Sequence, residues 1–313
     1  MIQHGSNHPS DSSVSLETRT IVRRTFIGRQ GLRAGWGALG FIVVLIILGA
    51  TIYGLIRILP LPPFESGGSV TMTPFNKGVV DAVLLMIVLA ATAIMAKLEG
   101  RNLEDYGFGS RNGTWLFLSG SGWGFFFISL LIGILVVTHN LVFQSHPFPL
   151  RTALLYGAEW FISMFFVGAF EEALFRGYLQ WTLARGMTYW GAALGLAIIF
   201  GAAHGNNPGE SRVGLLSAAS IALVLSLSIW YTRSLWWAIG FHTAWNWGET
   251  FFYGTPNSGL LAQGHLLSIR PIGASIMSGA SAGPEGSVLV LPLVVLIGHV
   301  VYLTCRQQIS PIE

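Results

Sequence analysis

Charge is what this 313-residue chain has least of: Asp, Glu, Lys and Arg together make up 10% of it, where an ordinary soluble domain carries about 25%. Such a chain cannot clothe itself in a hydrated surface. With 52% hydrophobic residues and a mean hydropathy of +0.61, its solvent is expected to be partly lipid. That excludes a disordered chain, and the missing basic face excludes a nucleic-acid-binding domain. Cysteine is also scarce. Cys305 stands alone, so no intramolecular disulfide can form and a disulfide-stapled secreted scaffold is excluded. There is no His-Glu-x-x-His helix, which removes one common hydrolase device. No repeat of fixed period is present. A net charge of +3 signals no polyanionic partner. In a membrane protein such an excess reflects cytoplasmic loops.

What the chain does have is long apolar runs. A membrane span takes about 20 mainly apolar residues. Eight segments qualify or come close: 36–56, 78–96, 114–137, 152–173, 189–204, 213–231, 236–252 and 287–304. The expected fold class is therefore all-α, a polytopic bundle of about eight transmembrane helices. Residues 1–35 form a polar tail, 36–145 the N-terminal transmembrane helices, 146–252 a core that carries the polar motifs, and 253–313 a loop and the C-terminal transmembrane helix. The stretch 57–77, with Pro60, Pro62, Pro63, Gly67, Gly68 and Pro74, reads as a loop. With the N-terminus inside, the tail (Arg19, Arg23, Arg24, Arg29, Arg33) and the inner loops hold 12 of the 17 Lys and Arg residues. The bias places both termini in the cytoplasm. A bacterial plasma membrane is the expected location. Gly120/Gly124, Gly191/Gly195 and Gly201/Gly205 are spaced for close helix contacts in lipid.

Ionisable residues inside spans are costly and mark function by default. Here they are expected to cluster in the second half. Glu171 and Glu172 lie side by side in the fourth span, followed by Arg176. Neighbours on a helix diverge by about 100°, so the two acids cannot share a face, whereas Glu172 and Arg176, four apart and in the favourable order, can pair. Glu171 then has no partner in its own helix. A carboxylate without a cation in an apolar site can accept a proton near neutrality, which makes Glu171 the candidate base and Glu172 with Arg176 its brace. The plainer alternative is a helix that leaves the membrane here with both acids solvated. His204 closes the fifth span. If spans four and five turn near Thr188, Glu172 and His204 each lie 16 residues from the turn, roughly 24 Å at the helical rise, and so at equal depth. His242 and Asn246 lie four apart on the seventh span and share a face, either as side-chain donors or as a polar seam to which Glu249 belongs. Counting from a turn near Ser234 puts His242 only about 12 Å deep. The mismatch is expected to be met by a long fourth helix, with 173–185 continuing as an amphipathic extension. Trp236, Trp237, Trp245 and Trp247 are read as an interfacial belt rather than as the lining of a lipid-facing groove.

Together these residues suit attack of water on a carbonyl: Glu171 as base, with imidazole and amide donors stabilising the oxyanion. A divalent metal such as Zn²⁺ is the competing arrangement, with Glu171, His204 and His242 as ligands and an open position for water. Against it, Asn246 stands where a metal site would prefer a further strong ligand.

Glu171-Glu172-x-x-x-Arg176, Phe200-x-x-x-His204 and His242-x-x-x-Asn246, in this order on successive apolar segments, resemble the three motifs of the CPBP intramembrane proteases. That family includes type II CAAX prenyl endopeptidases and bacteriocin-processing and immunity-type proteins. The resemblance covers about residues 150–250, and it makes 146–252 a CPBP-like catalytic core. It implies an intramembrane peptidase acting on a peptide or protein substrate at the lipid bilayer, with a segment that is membrane-associated and in some members lipidated. It further implies that Glu171 activates water, that His204 holds or polarises it, and that His242 and Asn246 form the oxyanion pair. No cofactor is then required. Two other classes compete. One is a non-catalytic immunity or scaffold protein that binds in the same cavity. The other is a transporter, disfavoured because no broken helices recur in two halves.

Overall fold

The computed structural model describes residues 25–28, 31–58, 71–109, 112–144 and 149–306. Most of the expected tail, the Pro- and Gly-rich part of the first loop (59–70) and the last seven residues lie outside these. The architecture is all-α, as the composition predicts. The helices are α1 (Ala34–Ile58), α2 (Pro74–Glu99), α3 (Gly113–Val137), α4 (Leu150–Leu174), α5 (Gln180–Gly186), α6 (Tyr189–His204), α7 (Arg212–Thr232), α8 (Trp236–Trp247) and α9 (Val290–Cys305). Every expected span coincides with a helix, but their lengths are unequal. Five helical segments are long and apolar enough to cross a membrane: α1, α2, α3, the α4–α5 unit and α7. α6 and α9 are shorter apolar helices. Apolar side chains such as Ile46, Ile58, Leu154 and Ile198 stay exposed, which in a protein so poor in charge is a face for lipid rather than for water.

Helix ends follow local chemistry. Thr73 caps α2 ahead of Pro74, and Gly100 ends it in a left-handed turn. The Thr188 and Ser211 hydroxyls accept from Gly191 N and Gly214 N at 3.0 Å, starting α6 and α7. Strand is confined to short pairs. β1 (Ile27–Gly28) meets β2 (Gly31–Leu32), a hairpin where a featureless tail was expected. β3 (Thr71–Met72) runs parallel to β5 (Leu261–Ala262). β4 (Leu141–Gln144) runs antiparallel to β6 (Ser268–Pro271), with Leu141 opposite Pro271 and Gln144 opposite Ser268. The last two pairs stitch the long 254–289 connection to the loops that follow α1 and α3.

Two features fix the frame of the site. α3 and α8 pack backbone to backbone: a Cβ on Gly120 or Gly124 would overlap the main chain of Trp237 or Phe241, and one on Gly240 that of Phe117. Of the spaced glycine pairs, Gly120/Gly124 thus makes the close seam that lipid-buried helices favour. Gly201 packs on α7, whereas Gly195 has nothing within 4 Å. The second feature corrects an expectation. The continuation of α4 is not a plain helical extension: a π-turn at Phe175–Leu179, with Gly177 at φ −78°, ψ −122°, interrupts it before α5. Such turns change the direction of the side chains that follow. Here Arg176 and Tyr178 both sit within the turn, and Tyr178 donates to Glu99 at the end of α2.

Candidate active site

The motif residues converge from three helices. Glu172 on α4 is fully buried, and its Oε1 receives Arg176 Nη1 at 3.1 Å and His242 Nδ1 at 3.0 Å. The brace anticipated within one helix therefore reaches a second helix, where it grips the α8 imidazole directly. The sequence gives no sign of this, because the contact spans 70 residues. With the carboxylate ionised against Arg176, Nδ1 carries a proton and donates it to Glu172. The other ring nitrogen, Nε2, lies 3.7 Å from Glu171 Oε2, close to a hydrogen bond but longer than one. His242 thus stands between the two acids, near both at once, although counting from the turn had placed it too shallow. The fourth helical unit runs from Leu150 to Gly186 and is broken at Phe175–Leu179, so a residue count from the turn is not a depth.

Phe200 explains why the second motif begins with an aromatic ring. The Arg176 guanidinium lies 4.5 Å from the ring centroid of Phe200, a cation–π contact in a buried setting. The His204 ring packs on the same phenyl at 4.6 Å. His204 Nδ1–H donates to the Phe200 carbonyl at 2.8 Å, which leaves Nε2 as the acceptor nitrogen of the neutral ring. Asn246, one turn after His242, is buried.

These groups border one cavity of about 330 Å³, lined by Glu171, His204, His242 and Asn246 and by apolar side chains including Met164, Val167, Leu225, Phe241 and Val294. Within it Glu171 is one-fifth exposed, and its Oε2 has no hydrogen-bond partner. The site therefore offers a carboxylate bordering a space large enough for a peptide segment, with ring and amide nitrogens nearby.

Several lining residues were not singled out from the sequence. Lys77 on α2 borders the cavity and pairs with buried Asp81 at 2.7 Å. The expectation that buried ionisable groups cluster in the second half is thereby corrected: Asp81 lies within the second span and was legible by the same rule. Asn257, Ser258 and Glu285 line the cavity from the 254–289 connection, where loop composition carries no hint of a return to the site. The tryptophans also differ from expectation. Trp237 and Trp245 are buried, and Trp245 and Trp247 spend their indole N–H groups on Glu285 and the Gly157 carbonyl, so they are interior struts rather than a belt. Outside the spans, in the α6–α7 loop, burial raises the Glu210 carboxyl above its ordinary range, although the Ser211 N–H works against the shift.

The proposed metal ligands do not assemble. Among the described residues no three of His, Cys, Asp and Glu are placed to hold a metal ion. Glu171 and His242 approach to 3.7 Å, but among the described residues no third such ligand joins them. As placed, these side chains do not enclose a metal ion.

Residues 149–248 match the family model described as Type II CAAX prenyl endopeptidase Rce1-like. No curated protein and no solved structure matches the chain. The matched segment runs from the start of α4 to just past the end of α8. It contains Glu171, Glu172, Arg176, His204, His242 and Asn246, and excludes α1–α3, the 254–289 connection and α9.

Proposed function

We propose that the Rce1-like domain at 149–248 makes this protein an intramembrane endopeptidase that cuts a peptide bond by a glutamate-activated water, without a metal. The segment cut is apolar or lipid-bearing and lies near a C-terminus or within a leader. The observation that carries this is the chain Arg176–Glu172–His242–Glu171, which ends on a carboxylate that borders the cavity.

Glu171 takes a proton from the attacking water, and the oxygen of that water adds to the scissile carbonyl. His204 Nε2 accepts the second water hydrogen and orients the nucleophile. The developing oxyanion is met by the Asn246 amide and by His242 Nε2–H when the ring carries both protons, a form the Nδ1–H contact to Glu172 helps to hold. Donors fixed in advance, away from bulk water, do more for charge formed in the transition state than mobile ones. Glu171 then passes its proton to the leaving amine. Glu172 and Arg176 touch no substrate: they position the imidazole. The apolar lining gives an aliphatic or lipid-bearing substrate segment a place to be buried.

The distribution of Lys and Arg favours cytoplasmic termini.

The test is cleavage of lipidated and unlipidated peptide libraries by purified protein in bilayers. Wild type is compared with Glu171→Gln and His204→Ala, with and without chelator. Cleavage that survives chelator and falls by about 10²–10⁴-fold in Glu171→Gln supports the mechanism. Loss with chelator and recovery with Zn²⁺ overturns the metal-free reading. Folded protein that binds these peptides but cuts none of them points to the scaffold class instead.

A further inference from the structure

The cavity has a second chemical end that hydrolysis does not use. Glu285 borders it from the turn Pro284–Gly286, outside the 149–248 match. Its carboxylate is held in place: Oε1 accepts from Trp245 Nε1 and Oε2 from Ser258 Oγ, each at 2.7 Å. Trp245 lies three residues after His242, so Glu285 is tied to the helix that carries the oxyanion donors, about 4.5 Å along its axis. An ionised carboxylate offers about four lone-pair sites, so two incoming bonds leave room for more.

Two further acids stand behind it. Glu249 is fully buried, and neither of its oxygens receives a well-formed hydrogen bond. It follows Trp245 by four residues and so shares the helix face that meets Glu285. Glu210, in the α6–α7 loop, interacts with Glu285 and His204. Among the described residues, none of these three acids belongs to an ion pair; those that do are Asp81, Glu99, Glu171 and Glu172. Lys77, which also lines the cavity, is committed to Asp81. The half-buried Glu285 carboxylate borders the cavity with acceptor sites to spare and, among the described residues, in no ion pair with a cation of the chain, so this wall suits a cation from outside the chain. A bare metal ion does not suit it, because no three such ligands are close enough together to enclose one. An organic cation on a flexible stem does, since it bridges wider gaps and brings its own apolar methylenes into an apolar cavity.

We infer that the Glu285 wall is a subsite for the basic side chain, lysine or arginine, of the peptide that Glu171 cuts. The inference rests on the protease reading above. An extended chain advances about 3.3–3.6 Å per residue, so the basic residue lies within about three positions of the scissile bond. Arginine is preferred, because its planar fork can use both carboxylate edges.

The test uses full-length protein in phosphatidylcholine nanodiscs and apolar fluorescent peptides that differ at one position: Arg, Lys, Gln or Glu, scanned across three residues on either side of the bond. Affinity is read on the Glu171→Gln variant and kcat/KM on the wild type. The Arg and Lys peptides are expected to bind at least about 10-fold more tightly than the Gln peptide, and the Glu peptide most weakly. Glu285→Gln is expected to bring the Arg-to-Gln ratio to about 1. Glu285→Lys is expected to reverse the order toward the Glu peptide, which loss of a merely structural contact would not do. Equal affinity for the Arg and Gln peptides overturns the subsite without any Glu285 variant, so misfolding of one cannot shelter it. A ratio unchanged by Glu285→Gln also overturns it. Charge-selective binding by protein that cuts no peptide upholds the subsite while the protease reading fails. Cleavage blind to charge does the reverse.

Discussion

A buried ion pair is a strong constraint and a weak stabiliser, and Arg176–Glu172 shows the difference. Removing one member strands the other. Arg176→Met is expected to cost about 3–5 kcal/mol, read as a lower unfolding midpoint in detergent. The double variant Glu172→Gln/Arg176→Met should recover much of that, because no lone charge remains. Its activity should stay low, because Glu172 also holds His242 Nδ1. Recovery of stability and activity together would mean that Glu172 does not position the ring. Glu210 gives a prediction of opposite kind. Its carboxyl is raised by burial, so the folded state keeps a proton that the unfolded chain has released. Stability is then lost as pH rises from about 4.5, the ordinary glutamate value, toward the raised value. Glu210→Gln should flatten that shallow slope in a melting series; an unchanged slope would assign it to other groups. At this scale the motif residues were legible because a charged or imidazole side chain in an apolar run has few reasons to be there. Ser258 and Glu285 were not. A polar residue in a loop is ordinary, and only the path of the chain turns it toward the cavity.

At the scale of elements, the seam between α3 and α8 should tolerate nothing larger than hydrogen. Gly124→Ala places a methyl group against the Phe241 main chain and is expected to destabilise by about 1–3 kcal/mol through overpacking. It should also lower cleavage more than Gly195→Ala, which meets open space. Equal effects of the two would remove the seam from the argument. The helices were legible from apolar length alone, because lipid requires every backbone group to be satisfied within the segment. The π-turn at Phe175–Leu179 was not, since Phe-Arg-Gly-Tyr-Leu has no proline to announce a break. Its direction is set by contacts from elsewhere in the chain, Tyr178 to Glu99 among them.

At the scale of the whole molecule, the cavity is shared property. α4, α6 and α8 supply the motif residues from within the matched third of the chain. α2, the 254–289 connection and α9 supply walls from outside it. Reading motifs finds the first set, and only tertiary structure finds the second. Orientation is open to direct measurement. In a Cys305→Ser background, Ser12→Cys should resist a membrane-impermeant thiol reagent in intact cells and react after permeabilisation, as cytoplasmic termini require. Labelling of intact cells would invert the topology. The seam has a mechanical corollary. Contacts made through side chains can give, because rotamers change; main chain against main chain has no such slack. α8 is therefore a fixed rail, and His242 and Asn246 keep their height on it however the cavity is filled. Whatever yields to admit a peptide must be a wall joined through side chains, so loading and chemistry are assigned to different parts of the bundle: one side that gives way and one that keeps the measure.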